Sequence, residues 1–117
     1  MRLVVIESPF AGDVTRNLRY LRACLADSLR RGEAPFASHG LYAQPGVLDD
    51  SDPIQRALGI MAGFAWRPGA AATILCLDLG VSEGMAKGAS HSEKIGVPVE
   101  HRWLWGEWAP QVGGAQS

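Results

Sequence analysis

The run Arg2–Ile6 (RLVVI) constrains the fold more than any other stretch of the chain. It is aliphatic and β-branched with no turn residue, the pattern of a strand buried on both faces as in the middle of a parallel sheet. It breaks at Glu7-Ser8-Pro9-Phe10-Ala11-Gly12, where proline and glycine prevent the strand from continuing and a helix from starting. Asp13 offers a helix N-cap, and a helical pattern begins at Val14. A strand, a small-residue loop and a helix N-terminus in that order aim unpaired backbone N–H groups and the positive end of a helix dipole into one pocket. Such a pocket suits a phosphate or a sugar. Many α/β domains begin in the same way and bind nothing there.

The remaining pattern repeats this unit. Val14, Leu18, Leu21, Leu25 and Leu29 mark one face of a first helix that runs to Arg31 and stops at Gly32. Glu33–Ser38 is read as a second strand, and His39–Asp52 as a long connection of the kind that often carries function. Asp52 and Pro53 form an N-cap and N1 pair for a second helix reaching Trp66. Gly59 and Gly63 share a face of that helix, at a cost of roughly 1 kcal/mol of propensity each relative to alanine. Their placement predicts another backbone close by, either the sheet or a second subunit. Ala71–Leu77 is a third strand, Ser82 caps a third helix ending near Gly96, and Val97–Arg102 is a fourth strand. This βαβαβαβ alternation predicts a four-stranded, mostly parallel sheet in the order 2-1-3-4, with three helices on its two faces. Ligands of such sheets sit beyond the carboxyl ends of the strands where strand order reverses, here between strands one and three. The loops meeting there are Glu7–Gly12 and Asp78–Gly84.

The 117 residues suit one domain, expected over residues 1–103, followed by a tryptophan-containing and partly disordered tail over 104–117. Trp103, Trp105 and Trp108 in that region are expected to pack on the domain or on a partner subunit. A formal net charge of −1 argues against a DNA or RNA groove. Cys24 and Cys76 read as buried small hydrophobes, and the separated histidines show no zinc pattern, so neither a metal nor a cofactor is expected. The expected setting is cytoplasmic, because nothing in the sequence reads as a leader or a membrane span.

Two carboxylates near the predicted pocket would suit N-glycoside cleavage, one attacking or activating water while the other manages protons. Glu7 ends the first strand, and Glu83 lies in the first turn of the third helix. The bland alternatives are a loop-ordering carboxylate for Glu7 and a helix-dipole partner for Glu83. Asp78 would bind a ribose hydroxyl or serve as a turn residue. Asn17 would touch ligand or hold the first loop closed. Ser8 and Ser82, with nearby amides, are candidate phosphate contacts, and His39 is a ligand contact, a general acid or a structural residue. His91 reads as a solvated or interface residue. Trp66 would stack on a base or anchor the second helix. Asp49, Asp50 and Asp52 lack the spacing of a calcium loop and are read as capping and solubilising groups.

The two loops and the helices behind them resemble the nucleoside 2-deoxyribosyltransferase-like family, in particular a small phage and bacterial branch. The residues that carry the resemblance are Ser8-Pro9-Phe10-Ala11-Gly12-Asp13 with Asn17, the run Leu79-Gly80-Val81-Ser82-Glu83-Gly84-Met85, and Gly96-Val97-Pro98-Val99. The resemblance spans about residues 2–102. It implies a Rossmann-like fold, a nucleoside or nucleotide ligand, and a homodimer or larger assembly. It also carries ligand contact over to Ser8, Pro9, Phe10, Gly12, Gly80, Ser82, Gly84 and Met85. Enzymes of that family attack the anomeric carbon with a glutamate on the third helix, eight residues before the glycine of the Gly-x-Pro-Val motif. In this chain that position is Gly88, which has no side chain. Either another carboxylate serves, or the chain binds a nucleotide-derived signal without cleaving it. A structural or interaction role is the third reading.

Overall fold

The computed structural model describes residues 1–109. Strands β1 (Arg2–Glu7), β2 (Glu33–Phe36), β3 (Ala72–Cys76) and β4 (Val99–Arg102) form one sheet in the order β2-β1-β3-β4. Every neighbouring pair is parallel, with Val4 opposite Ala72 and Thr73 opposite Val99. The sheet order and the α/β class agree with the expectation from the sequence. Helices α1 (Val14–Arg30), α3 (Pro53–Trp66) and α4 (Glu83–Lys94) also stand where the periodicity places them. A further helix, α2 (Ser38–Tyr42), interrupts the connection expected to be irregular after His39. Its Gly40 lies against the Leu21 side chain, where a Cβ would meet Cδ2 at 2.6 Å. Packing on α1 thus holds a helical turn in a glycine-containing segment with little propensity of its own.

The two faces of the sheet have separate cores. Even-numbered residues Val4, Ile6, Ile74 and Cys76 pack under α1 with Tyr20, Leu21 and Cys24. The fully buried face of α1 is Asn17, Tyr20, Leu21, Cys24 and Ser28, so of the predicted stripe Leu21 is central while Leu18 and Leu25 pack only partly against the core. Val14 and Leu29 are exposed, because the stripe is rotated towards the flank of the helix. The buried polar residues have specific partners. Ser28 Oγ donates to Glu33 at 2.8 Å, and Arg102 donates to both carboxylate oxygens of Glu33 at 2.8 and 3.1 Å. Hydrogen bonding to Arg102 holds the Glu33 carboxyl at about 2, well below the ordinary carboxylate range.

Odd-numbered residues of β1 and β3, among them Val5 and Leu75, face the opposite way, where α4 buries Met85, Gly88 and Ser92. After β4 the chain turns back. Leu104 N and Trp105 N donate to Asp78 at 2.8 and 2.9 Å, and Trp108 packs on Tyr20 at 4.9 Å between ring centroids. Of the tail expected to be partly disordered over 104–117, residues 110–117 lie outside the described residues. Among the described residues, no helix is long and apolar enough to cross a membrane.

Candidate functional site

Parallel strands deliver their carboxyl ends to one edge of the sheet, and Glu7 is the last residue of β1 at that edge. Its side chain runs towards α4 and meets Gly88. A Cβ on Gly88 would overlap the Glu7 carboxylate, so the absent side chain is what admits this group. Arg67 fixes the carboxylate from below. It follows α3 directly, its side chain is 2% exposed, and its Nη2 donates to Glu7 Oε2 at 2.6 Å. Nη1 donates to Thr73 Oγ1 at 2.6 Å, and Nε donates to His91 Nδ1 at 3.0 Å.

A guanidinium has only donors, so His91 Nδ1 must be unprotonated and the imidazole neutral. Burial first, and then the charges of Arg67 and Lys94, lower the His91 pKa in agreement. His91 also stacks on Phe64, at 3.9 Å between centroids and 5° between planes. Burial pushes the Glu7 carboxyl above its ordinary value, while the hydrogen bond and charge of Arg67 pull it back in part. Oε2 is thus occupied by Arg67, whereas Oε1 accepts no hydrogen bond among the described residues.

Next to Glu7, the Ser8 hydroxyl and His39 Nε2 are hydrogen bonded at 2.9 Å. Burial lowers the His39 pKa to about 4, so this ring is neutral at pH 7. Glu7, Ser8, Phe10, His39, Phe64 and Arg67 line the inner part of a cavity of about 260 Å³. That volume is near the lower end of the roughly 300–1,000 Å³ range of small-molecule sites. Ser82, Glu83 and Gly84 at the start of α4 line it too, with Asp50, Arg56 and Lys87. Beyond Phe10, Asp50 and Arg56 the cavity adjoins a wider, open depression of about 1020 Å³ bounded by the 43–51 connection. Glu83 is a rim residue, with a side chain 78% exposed and 3.3 Å from Lys87.

Of the residues expected to form a site, the fold brings Glu7, Ser8, Phe10, His39, Ser82, Glu83 and Gly84 around this cavity. It places others elsewhere. Asn17 is buried and donates to the Phe10 and Ala11 carbonyls at 2.9 and 3.0 Å, which holds the first loop closed. Asp78 is buried among Tyr20 Oη, Leu104 N and Trp105 N, so its oxygens are spent inside the fold. Met85 is 1% exposed and belongs to the core under α4, where its amide donates to the Ser82 hydroxyl. Gly12 and Gly80 supply turns at φ +96° and +90°, and Pro9 is buried at the strand end.

Trp66 packs on Phe36 and donates to Tyr42 Oη, away from the cavity. His91, expected at the surface or at an interface, is instead the acceptor that orients Arg67. The sequence reading missed Arg67, Arg56 and Phe64. Arg67 precedes Pro68-Gly69 and so reads as a helix-ending turn. Nothing in the residues around it marks it as buried.

Comparison with known proteins gives two matches. The sequence matches the family described as "Domain of unknown function (DUF7768)" over residues 2–102. The fold is similar to the solved structure of the 2-deoxyribosyltransferase of the psychrotolerant bacterium Bacillus psychrosaccharolyticus, with a TM-score of 0.58 and 17% identity. The alignment covers 89% of this chain and 74% of that one. At such identity the likeness establishes the fold. No curated protein matches the chain.

Proposed function

We propose, for a chain that belongs to the DUF7768 family, that the cavity at the β1/β3 crossing binds a nucleoside-type ligand and that Glu7 acts on its N-glycosidic bond. The observation that carries this reading is the Glu7 carboxylate, seated in the space that a side chain on Gly88 would occupy. The carboxylate is offered from the strand end instead of from the helix. The charged lining residues balance, with Glu7, Asp50 and Glu83 against Arg56, Arg67 and Lys87. A neutral lining favours a nucleoside over a polyphosphate. Phe10 and Phe64 offer rings for a base, and the Ser8–His39 pair offers hydrogen bonds to sugar hydroxyls.

In the reaction, Glu7 Oε1 bonds to the anomeric carbon while the carbon–nitrogen bond breaks and its electron pair leaves with the base. A rim carboxyl, Asp50 or Glu83, gives the departing base its proton. Water, or a second base, then bonds to the anomeric carbon as its bond to Glu7 Oε1 breaks, and the proton that this nucleophile sheds returns to the rim carboxylate. Arg67 keeps Glu7 oriented and partly offsets the effect of burial on its ionisation.

Incubation with a panel of nucleosides and nucleotides, read by mass spectrometry, tests the proposal. Free base should accumulate, Glu7→Gln should abolish its release, and the double variant E7A/G88E should restore part of it by returning the carboxylate from the helix side. Release should rise with pH as Glu7 ionises, with an apparent pKa above the usual carboxylate range. Free base released at an unchanged rate by Glu7→Gln would refute the role of Glu7.

The ion pair itself favours a second reading. A carboxylate already bonded to Arg67 at 2.6 Å is a poorer nucleophile than a free one, which suits retention of a nucleotide-derived ligand without turnover. Intact ligand recovered in one-to-one complex, with no free base, would select this reading.

A further inference from the structure

We infer that His91 is a positioning residue for Glu7: by occupying Arg67 Nε it keeps the guanidinium from closing on both carboxylate oxygens, and so keeps Oε1 free. The inference rests on the reading of Glu7 as the working group of the cavity. Arg67 commits all three of its nitrogens, Nη2 to Glu7 Oε2 at 2.6 Å, Nη1 to Thr73 Oγ1 at 2.6 Å and Nε to His91 Nδ1 at 3.0 Å. In a guanidinium the Nε–H and one Nη2–H point the same way and form the side that grips a carboxylate with two bonds. Here that side is shared, with Glu7 taking one donor and His91 the other. Without His91, a buried carboxylate beside the same arginine would take both donors, because that satisfies its second oxygen. The free Oε1 is thus the consequence of an acceptor supplied by α4.

The fold places this acceptor closely. His91 lies on α4 one turn after Gly88, so the helix face that gives Glu7 room also carries the ring that takes Arg67 Nε. The stack on Phe64, with 5° between the planes, fixes the plane of that ring. The charged groups that face His91 are cations, Arg67 from the turn after α3 and Lys94 one turn on along α4. Lys87, one turn back, is paired with Glu83 at 3.3 Å. Glu7 of β1 and Thr73 of β3 are tied to the ring through Arg67. The cations disfavour a proton on His91, in keeping with its role as acceptor. A proton on Nδ1 would set donor against donor and free Nε for Glu7, so acid should silence Oε1 in the same way as loss of the ring.

The test is the ionisation of Glu7 in the full chain, followed by carbon-13 NMR of labelled glutamate carboxyls and assigned with Glu7→Gln. His91→Phe keeps a ring on Phe64 and removes the acceptor. Arg67 should then bind both oxygens, and the Glu7 midpoint should shift to lower pH than in the wild type. His91→Asn offers Oδ1 near the place of Nδ1 and should restore the wild-type midpoint. A ring that merely supported Arg67 would give the opposite sign, since a loosened arginine raises the midpoint of a buried carboxyl. His91→Leu gives the same readout should His91→Phe alter the circular dichroism. With a nucleoside that releases free base, His91→Phe should lower kcat on the order of 10–100-fold with KM little changed, although more of Glu7 is ionised. His91→Asn should recover that loss. A Glu7 midpoint that rises or stays in place without the acceptor would overturn the inference, and so would an unchanged kcat. If no nucleoside releases base, the proposed reaction fails, while the midpoint still decides the part played by His91.

Discussion

Helices α1 and α3 are both rich in apolar residues, but they place them on opposite sides. Beneath α1, Tyr20, Leu21 and Cys24 are closed into the sheet, and its polar Asn17 and Ser28 are buried with them on fixed partners. In α3 the positions that pack against α2 and the connection after it are Gly59 and Gly63, Arg56, Ile60 and Phe64 line the cavity, and Ile54, Leu58 and Met61 point outward. The difference lies in what each helix packs on. A sheet offers a broad apolar surface that takes large side chains, whereas the short α2 approaches α3 so closely that only glycine fits at Gly63. Hydrophobic periodicity locates both helices, but it does not say which side of either faces in.

The largest expected effect is at the α1 core. Tyr20 is fully buried, packs on Trp108 and donates to Asp78 at 2.7 Å. Tyr20→Ala removes the ring and leaves Asp78 short of a donor, so a loss of about 3–5 kcal/mol is expected from urea denaturation. Tyr20→Phe keeps the packing and should cost about 1–2 kcal/mol. Equal losses for the two variants would mean that the hydrogen bond outweighs the ring in holding α1.

Gly63→Ala comes next and tests the inward side of α3. Alanine improves helix propensity by about 1 kcal/mol, but its Cβ would meet Ser38 Cβ at 2.7 Å. Overpacking of this kind typically costs about 1–3 kcal/mol, so a small net destabilisation is expected. The double variant G63A/S38G should recover most of it. A stabilised Gly63→Ala would show that α2 can be displaced without cost.

The same comparison explains what could be read from the chain. Strand order, the helices and the cavity edge follow from local rules, because β3 is wholly buried and nearly all apolar, and Asp13, Asp52 and Ser82 are strong caps. Glu7 and Ser8 were identifiable for the same reason, since the end of a buried strand is a fixed address in a parallel sheet. Arg67 and His91 were not. Each gains its role from a contact with a residue distant in sequence, and an arginine before Pro68-Gly69 carries no local mark of burial. Gly59 and Gly63 did signal a close neighbour. Gly63 faces Ser38 of α2, and Gly59 faces Leu48 of the connection after it and Tyr42 of α2, rather than the sheet; α2 has too little helical signal of its own to be anticipated.

A separate effect should appear on acidification, because α2 holds His39 against Ser8. The folded-state pKa of about 4 lies below the ordinary value near 6.5, so between these limits the unfolded chain binds a proton that the folded chain does not. This contribution is complete above pH 6.5 and is lost as pH falls towards 4. It amounts to about 2 kcal/mol, allowing for partial solvent contact. Denaturation measured at several pH values should show the slope, and His39→Asn should flatten it. Amide exchange should report loosening in α2 and α3 at acid pH before any in α1. Simultaneous loosening of α1 would mean that α2 is not an independent link between the two helices.

The smallest effect belongs to the outer side of α3. In the single chain Leu58 is 56% exposed, so Leu58→Ala removes little buried surface and substitutes a better helix former. At high dilution the unfolding free energy from urea denaturation should change by less than about 0.5 kcal/mol. At concentrations where two copies associate, the same truncation removes surface that the partner would cover, and the wild-type midpoint should rise with concentration more steeply than that of the variant. Midpoints that stay parallel at every concentration would show that α3 leaves Leu58 uncovered. The contrast with α1 would then rest on exposure alone.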